Sequence, residues 1–375
     1  MPTDWPKIRS EFPSLNFWTY LNTATFGQLP RRGTEAVNRH FAHRDIFACA
    51  DFIDWYSDVD RIRELVGRLI HCLPTDVAFI PTASYALSLV VSRIDWKPGD
   101  RIVTLENEFP NNIYFPAMLA AQGVELVEAS WDNFYDSIND RTRLVAISVL
   151  SYVNGARPPL AEIGKFLRER GVLFYIDGTQ GVGALQIDLS EVAPDVLAVH
   201  GYKWMLAPTG AGFMYVRPDV RKWLTPNVVG WRSHKDWRNV DQLHHGAPDF
   251  GDSAEQYEGG MLAHSVLYAL AESIWMMLEI GPEEIEKRVL SLAAKTREAL
   301  TERGAELHSG PLFDSPIVAG KFPCCDASAV ASQLKARRVL VSARHGYLRV
   351  STHFYNNEND LDRLNEELKR LLRGV

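Results

Sequence analysis

The sequence predicts an α/β fold: a mostly parallel sheet flanked by helices in a large domain, followed by a smaller C-terminal α/β domain. Three observations predict it. Between residues 77 and 200, short apolar runs alternate with segments of helical period, which is the pattern of a parallel sheet covered on both faces. After about residue 220 the alternation gives way to a stretch rich in Trp, His and Arg, and then to two long helical segments and short strands. Polar clusters follow the apolar runs, at the strand carboxyl ends where ligands bind in such sheets.

Taken in order, the irregular start leads to YLNTATFGQLP (20–30), a short strand and turn, and Pro30 opens a helix, where its missing N–H needs no partner. A second helix sets Val59, Ile62, Val66, Leu69 and Ile70 on one stripe. VAFI (77–80) leads through Pro81-Thr82 into the helix ASYALSLVVSRI. RIVTL (101–105) leads through ENEFPN into IYFPAMLAAQG, and VELVEA follows. RLVAISVL (143–150) leads through SYVNGARP into PLAEIGKFLRERG, and VLFYID (172–177) leads through GTQGVGA towards VLAVH (196–200). Residues 220–260 read as long loops. Helices over MLAHSVLYALAESIWMMLEIG and from Pro282 onward come next. The strands IVAGKF, VLVSA and YLRVS then precede a last helix with Leu361, Leu364, Leu368 and Leu371 on one face. The expected division is an N-terminal segment, 1–20, packing with the small domain, a large domain over 21–260, and a small domain over 261–375.

Composition excludes several classes. The chain of 375 residues is 46% apolar and 23% charged, which is ordinary for a globular protein. A net charge of -7 without a basic stripe argues against nucleic acid as a partner. The four cysteines, Cys49, Cys72, Cys324 and Cys325, contain no C-x-x-C pair, so a reducing, cytoplasmic location is expected. No run has the length of a signal peptide core or a membrane span. A soluble, unprocessed protein without membrane contact is therefore expected.

The richest stretch is VHGYKWMLAPTGAG (199–212). Lys203 follows an apolar strand and is flanked by Trp204, Met205 and Leu206; such surroundings disfavour its charged form and free its amine as a nucleophile. Asp177 ends VLFYI, where a carboxylate needs a cation or donors to stay ionised, though it reads also as a cap on GTQGVGA. Gln180 belongs to the same turn, whose glycines do not follow the G-x-G-x-x-G order of a dinucleotide loop. Thr82-Ala83-Ser84 joins a strand to a helix start, a place that suits a phosphate; Ser84 reads equally as an N-cap. Phe109 is either core packing or a lid over a flat ring. Arg349 in YLRVS is a strand cation that wants an anion, a carboxylate by preference. An amine for an aldehyde, an anion for a pyridinium, a phosphate cradle, a ring stacker and a carboxylate clamp together suit pyridoxal 5'-phosphate (PLP). No metal site is expected.

These segments, above all YIDGTQGVGALQID with HGYKWMLAPTGAGFMYV, resemble the class V aminotransferase family of PLP-dependent fold type I enzymes. The branch resembled holds cysteine desulfurases, kynureninases and isopenicillin N epimerase-like proteins, and the likeness runs from YLNTATFGQLP to the final helix. The resemblance implies that Lys203 forms the Schiff base and moves the proton at the substrate Cα. It implies that Asp177 pairs with the pyridine nitrogen and that Gln180 bonds the ring's phenolic oxygen. Ala83 and Ser84 match the phosphate turn, with His200 and Tyr202 as further donors, and Phe109 matches the stacking position. Arg349 matches the arginine that takes the α-carboxylate, helped by the backbone near Ala24 and Thr25. The resemblance implies a homodimer in which YEGGM, through Gly260, reaches the partner's phosphate; Met261 stands where many relatives carry a threonine.

The expected substrate is a small α-amino acid, and the expected reaction is transamination, with a C–S or other β-lyase, or an epimerase, as alternatives. A non-catalytic PLP-binding module is the competing class; intact Lys203, Asp177 and Arg349 argue against it. A persulfide-forming desulfurase needs a mobile cysteine before the carboxylate-binding arginine, and the interval VLVSARHG has none. Cys324 and Cys325 read as buried, inert thiols. Thr25, Phe26, Tyr152, Asn154, Arg157, Trp231, Arg232 and His345 are pocket candidates, with Arg232 or Arg344 as the reader of a second carboxylate.

Overall fold

The computed structural model describes residues 3–323 and 325–372. After a first strand, β1 (Thr19–Tyr20), seven strands form the main sheet: β2 (Val77–Ile80), β3 (Arg101–Leu105), β4 (Glu125–Ala129), β5 (Thr142–Ser148), β6 (Leu173–Asp177), β7 (Val196–His200) and β8 (Gly212–Val216). Their spatial order is β2-β8-β7-β6-β5-β3-β4. Neighbours from β7 to β4 run parallel, while β8 is antiparallel to both β7 and β2. The sequence did not mark β8 as a strand. GFMYV follows the Pro/Gly loop after β7 directly, with no crossover helix, so the chain can only turn back antiparallel.

Side-chain alternation fills both faces. Val103, Val145, Ile147, Phe174, Ile176, Leu197, Val199 and Phe213 point into one apolar core. Ile102, Leu144, Ala146, Tyr175, Ala198 and Met214 point into the other. A parallel sheet needs both covers, because a side left bare would expose a continuous apolar surface. The helix Asp54–Ile70 buries Val59, Ile62, Val66, Leu69 and Ile70, the expected stripe. The helix expected over IYFPAMLAAQG is shorter, Tyr114–Met118, and tightens into a 3-10 turn over Leu119–Gln122. Among the described residues, no helix is long and apolar enough to cross a membrane.

The C-terminal part holds β9 (Glu306–Leu307), β10 (Ile317–Lys321), β11 (Val339–Leu340), β12 (Ser342–Arg344) and β13 (Tyr347–Ser351). β12, β13, β10 and β9 make an antiparallel sheet in that order, and β1 pairs with β11. The run VLVSA is thus split between two sheets. The N-terminal segment docks here: Phe12 packs on Phe354 and Tyr355, and Arg9 pairs with Asp360 at 2.7 Å. β12 and β13 are joined by His345 and Gly346 alone, at φ 48° and 83°. Two positive φ values in a two-residue loop make a type I′ turn, whose twist matches that of the strands. Cys325 is half-buried, and Cys324 lies outside the described residues.

Candidate active site

The carboxyl ends of β5, β6 and β7 lie side by side, with Ser148 opposite Asp177 and Asp177 opposite Ala198. Lys203 stands three residues past β7, and the loop carrying it is held tightly. Leu206 adopts φ 54°, a left-handed conformation that costs a non-glycine residue free energy. His353 bonds the Trp204 carbonyl at 2.9 Å, and Ser273 bonds that of Leu206 at 2.9 Å. Gly27 N–H donates to the Tyr202 carbonyl at 2.8 Å, and a Cβ on Gly27 would lie 1.9 Å from the Lys203 carbonyl oxygen. Gly27 is thus a site residue that the sequence did not reveal; only glycine allows this approach.

Lys203 is 6% exposed, and burial lowers its pKa to about 8; Asp177 opposes the shift, while Arg349 and Arg344 add to it. Its Nζ lies 5.1 Å from the centre of the Phe109 ring and 5.4 Å from that of Tyr202. Asp177 is buried, which raises its pKa, and Thr179 supplies its hydrogen bonding, the N–H reaching Oδ1 at 2.9 Å. No helix follows it, so its reading as a helix cap falls away. Gln180 accepts from Trp204 Nε1 at 2.9 Å and donates to the Ala24 carbonyl at 3.2 Å. The amide is thereby oriented, with one N–H still to give.

Thr82, not Ser84, caps the helix Ala83–Arg93, accepting from Tyr85 N. Ala83 and Ser84 therefore occupy the first turn, where N–H groups have no carbonyl four residues back to bond. His200 Nε2 accepts from Gly210 N at 3.3 Å, and burial, with Lys203 nearby, lowers its pKa to about 4, so it is neutral at pH 7. Tyr202 packs edge-on to His200 and Phe26.

Arg349 is 1% exposed, and burial, with Arg344 next, lowers its pKa to about 9. Its donors reach Ser342 Oγ at 3.0 Å, Thr25 Oγ1 at 2.7 Å and the Tyr152 carbonyl. No carboxylate lies within 4 Å of it among the described residues, and a buried cation so placed calls for an anion. Ala24 N–H is donated to Ser351 Oγ, and Thr25 N–H to the Asn22 carbonyl. Both amides expected to help at the carboxylate are therefore engaged within the protein, and the loop acts by holding Arg349.

A second residue missed from the sequence is Glu108. It accepts from Ser148 N and Oγ, both at 2.6 Å, from Asn112 Nδ2 at 3.0 Å and from Phe109 N at 3.2 Å. Burial raises its pKa to about 7, with Asp177 adding to the shift. It ties the Phe109 loop to the end of β5.

Several pocket candidates are engaged elsewhere. Arg232 pairs with Glu255 and Glu258 at 2.7 and 2.8 Å and lies between Tyr56 and Trp237, where Trp231 also packs. Arg157 pairs with Glu286 at 3.1 Å. Asn154 accepts from Ala156 N. Tyr152, by contrast, packs edge-on to Phe109 at 5.3 Å and bonds His345 Nε2 at 3.1 Å. The glycine turn is anchored through Glu258, which accepts from Phe79 N at 2.8 Å, just before the Ala83–Ser84 turn. Arg232 also bonds the Gly260 carbonyl at 3.2 Å.

Lys203, Asp177 and Arg349 are all buried with fewer partners than their charges require. This donor set fits PLP, which brings an aldehyde for the amine, a ring cation for the carboxylate and, through its substrate, an anion for the guanidinium.

Residues 50–364 match the family model for aminotransferase class-V. The chain is similar to a probable cysteine desulfurase of Pyrococcus abyssi, with 23% identity covering 98% of each chain. It is 27% identical to isopenicillin N epimerase of Streptomyces clavuligerus, again over 98% of each chain. Among solved structures it is similar to C-DES bearing glycine covalently linked to its PLP cofactor, with a TM-score of 0.87, 22% identity and complete coverage of both chains.

Proposed function

The chain belongs to the class-V aminotransferase family of PLP-dependent enzymes, and from that premise we propose that it removes the Cα proton of a small α-amino acid with Lys203 and completes a transamination. The observation that carries this reading is the convergence of three under-partnered buried charges, Lys203, Asp177 and Arg349. When bound, PLP supplies an aldehyde that condenses with amines and a protonated ring that draws electrons from Cα.

The protein's own groups do the rest. Asp177, with Thr179 steadying it, holds the ring proton in place. The Ala83 and Ser84 amides and the Tyr202 hydroxyl take the phosphate; Gln180, aimed by Trp204, takes the phenolic oxygen. Neutral His200 adds a polar edge without a competing charge. Arg349 holds the α-carboxylate and so fixes Cα near the Lys203 amine, whose lowered basicity suits proton transfer near neutral pH. Transamination moves a proton between two carbons on one face, which a single amine serves. The aromatic ring nearest the Lys203 amine, that of Phe109 at 5.1 Å, carries no exchangeable proton, whereas an epimerase needs a second base.

A β-lyase is the second reading, favoured by similarity to proteins named cysteine desulfurases. The two-residue β12–β13 turn, however, carries no cysteine to accept sulfur. We further propose a homodimer that covers the exposed apolar groups Tyr114 and Met118 and, beside the Gly259-Gly260 turn, Val228, Val229 and Met261.

Absorbance of the purified protein tests the premise: a yellow band absent from Lys203→Ala supports it, and a protein colourless even with added PLP refutes it. Incubation with amino acids then separates the reactions. Loss of the band, restored by a keto acid, is the outcome expected of transamination. Pyruvate and ammonia formed without any acceptor would assign the lyase instead.

A further inference from the structure

We propose that the site takes an α-amino acid whose side chain ends in a second carboxylate, and that Arg344 is the group that reads it. This rests on the assignments of Lys203 and Arg349 above.

The β12–β13 hairpin sets the geometry. Ser342 pairs with Arg349, Ala343 with Leu348 and Arg344 with Tyr347. Side chains alternate across a strand. Ala343, Leu348 and Val350 therefore face the small apolar core, as their packing records. Ser342, Arg344 and Arg349 share the opposite face, and the Arg349 guanidinium confirms the direction by bonding Ser342 Oγ at 3.0 Å. One face of one hairpin thus offers two guanidinium groups to the same site. Arg344 also stands among the charges near both Lys203 and Arg349, with a lesser influence on each than burial, and this nearness places its guanidinium within reach of the same site.

Neither guanidinium has a carboxylate within 4 Å among the described residues, whereas Arg157 and Arg232 both do. Arg344 donates from Nη1 to its neighbour's carbonyl, that of Ala343, at 2.7 Å. Among the described residues the rest of its planar fork faces no fixed acceptor, and that fork matches a carboxylate with two parallel N–H bonds. The charge count leads to the same ligand. Asp177 is matched by a ring cation, and an α-carboxylate matches Arg349; Arg344 remains. Tyr152 joins the two ends, since its carbonyl bonds Arg349 while its hydroxyl bonds His345, the residue after Arg344. A side chain running along Tyr152 from Cα ends at the turn that carries Arg344.

The test is a spectral titration of the holoenzyme with glutamate, glutamine and norvaline, in wild type and in Arg344→Gln. Wild type is expected to bind glutamate at least about tenfold more tightly than either neutral analogue. Arg344→Gln should abolish that preference and leave glutamine binding within about twofold of wild type. Protection against thermal unfolding supplies a readout independent of catalysis: glutarate should protect wild type more than valerate does, and protect Arg344→Gln no better than valerate. Equal affinities for glutamate and glutamine in wild type, or a preference that survives in Arg344→Gln, overturns the subsite while leaving the cofactor reading intact. Absence of any spectral response to every amino acid overturns both.

Discussion

Replacing Glu108 with Gln tests whether this buried acid titrates within the folded protein. Burial raises its pKa from 4.5 to about 7, despite four donated hydrogen bonds that favour the ionised form. A carboxyl group whose folded pKa exceeds its unfolded one holds its proton more tightly in the native state. Its contribution to stability is therefore fully present below pH 4.5 and is lost as pH rises through about 7. At about 1.4 kcal/mol per pH unit, a rise from 4.5 to about 7 sets the full loss at about 3–4 kcal/mol, most of it falling between about pH 5 and pH 8. Glutamine keeps the size of the protonated acid and cannot ionise. The stability difference between Glu108→Gln and wild type should thus move by that amount in the variant's favour as pH rises. Any constant cost of altered hydrogen bonding cancels from this slope. Urea denaturation of both proteins across the range, followed by tryptophan fluorescence, measures it. A difference that stays flat with pH, or moves the other way, would refute the burial argument.

Three further outcomes follow from the same geometry. Arg349→Ala should weaken amino-acid binding by about 30-fold or more, the effect of removing about 2 kcal/mol of charge-assisted contact, with the cofactor absorbance retained. Spectral titration reads both, and loss of the cofactor itself would contradict the assignment. Gly27→Ala sets a methyl group against the Lys203 carbonyl, so the loop must shift and turnover should fall by about 100-fold, since small misplacements of reacting groups carry such costs. Unchanged kinetics would show that the close approach is dispensable. Glu258→Gln leaves Arg63 and Arg232 without their shared buried carboxylate and should destabilise the fold by about 3–5 kcal/mol, read by denaturant midpoint.

Much of the site was legible because its members sit where pattern alone places them. Lys203 and Asp177 follow apolar runs that can only be strands, and strand carboxyl ends are where such sheets bind ligands. Arg349 stood out because a cation inside a strand needs a reason. Glu108 did not stand out: Glu106 lies two residues earlier in the same polar turn, and nothing local says which of the two is buried. Gly27 was silent for a related reason, since the demand for glycine there comes from a carbonyl brought in from a remote part of the chain. The choice between Arg232 and Arg344 likewise depended on partners. Only assembly shows that Glu255 and Glu258 occupy the first and that, among the described residues, no carboxylate occupies the second.

The shortness of the His345-Gly346 turn bears on how this scaffold can be altered. Both flanking strands are paired, and the two tip residues are exposed, which is the setting in which inserted residues are best tolerated. Lengthening a surface loop adds only about 0.6 kcal/mol per doubling. The hairpin is thus a graft point, where a longer loop carrying a thiol can be added at the exposed end of the strand pair that carries Arg349.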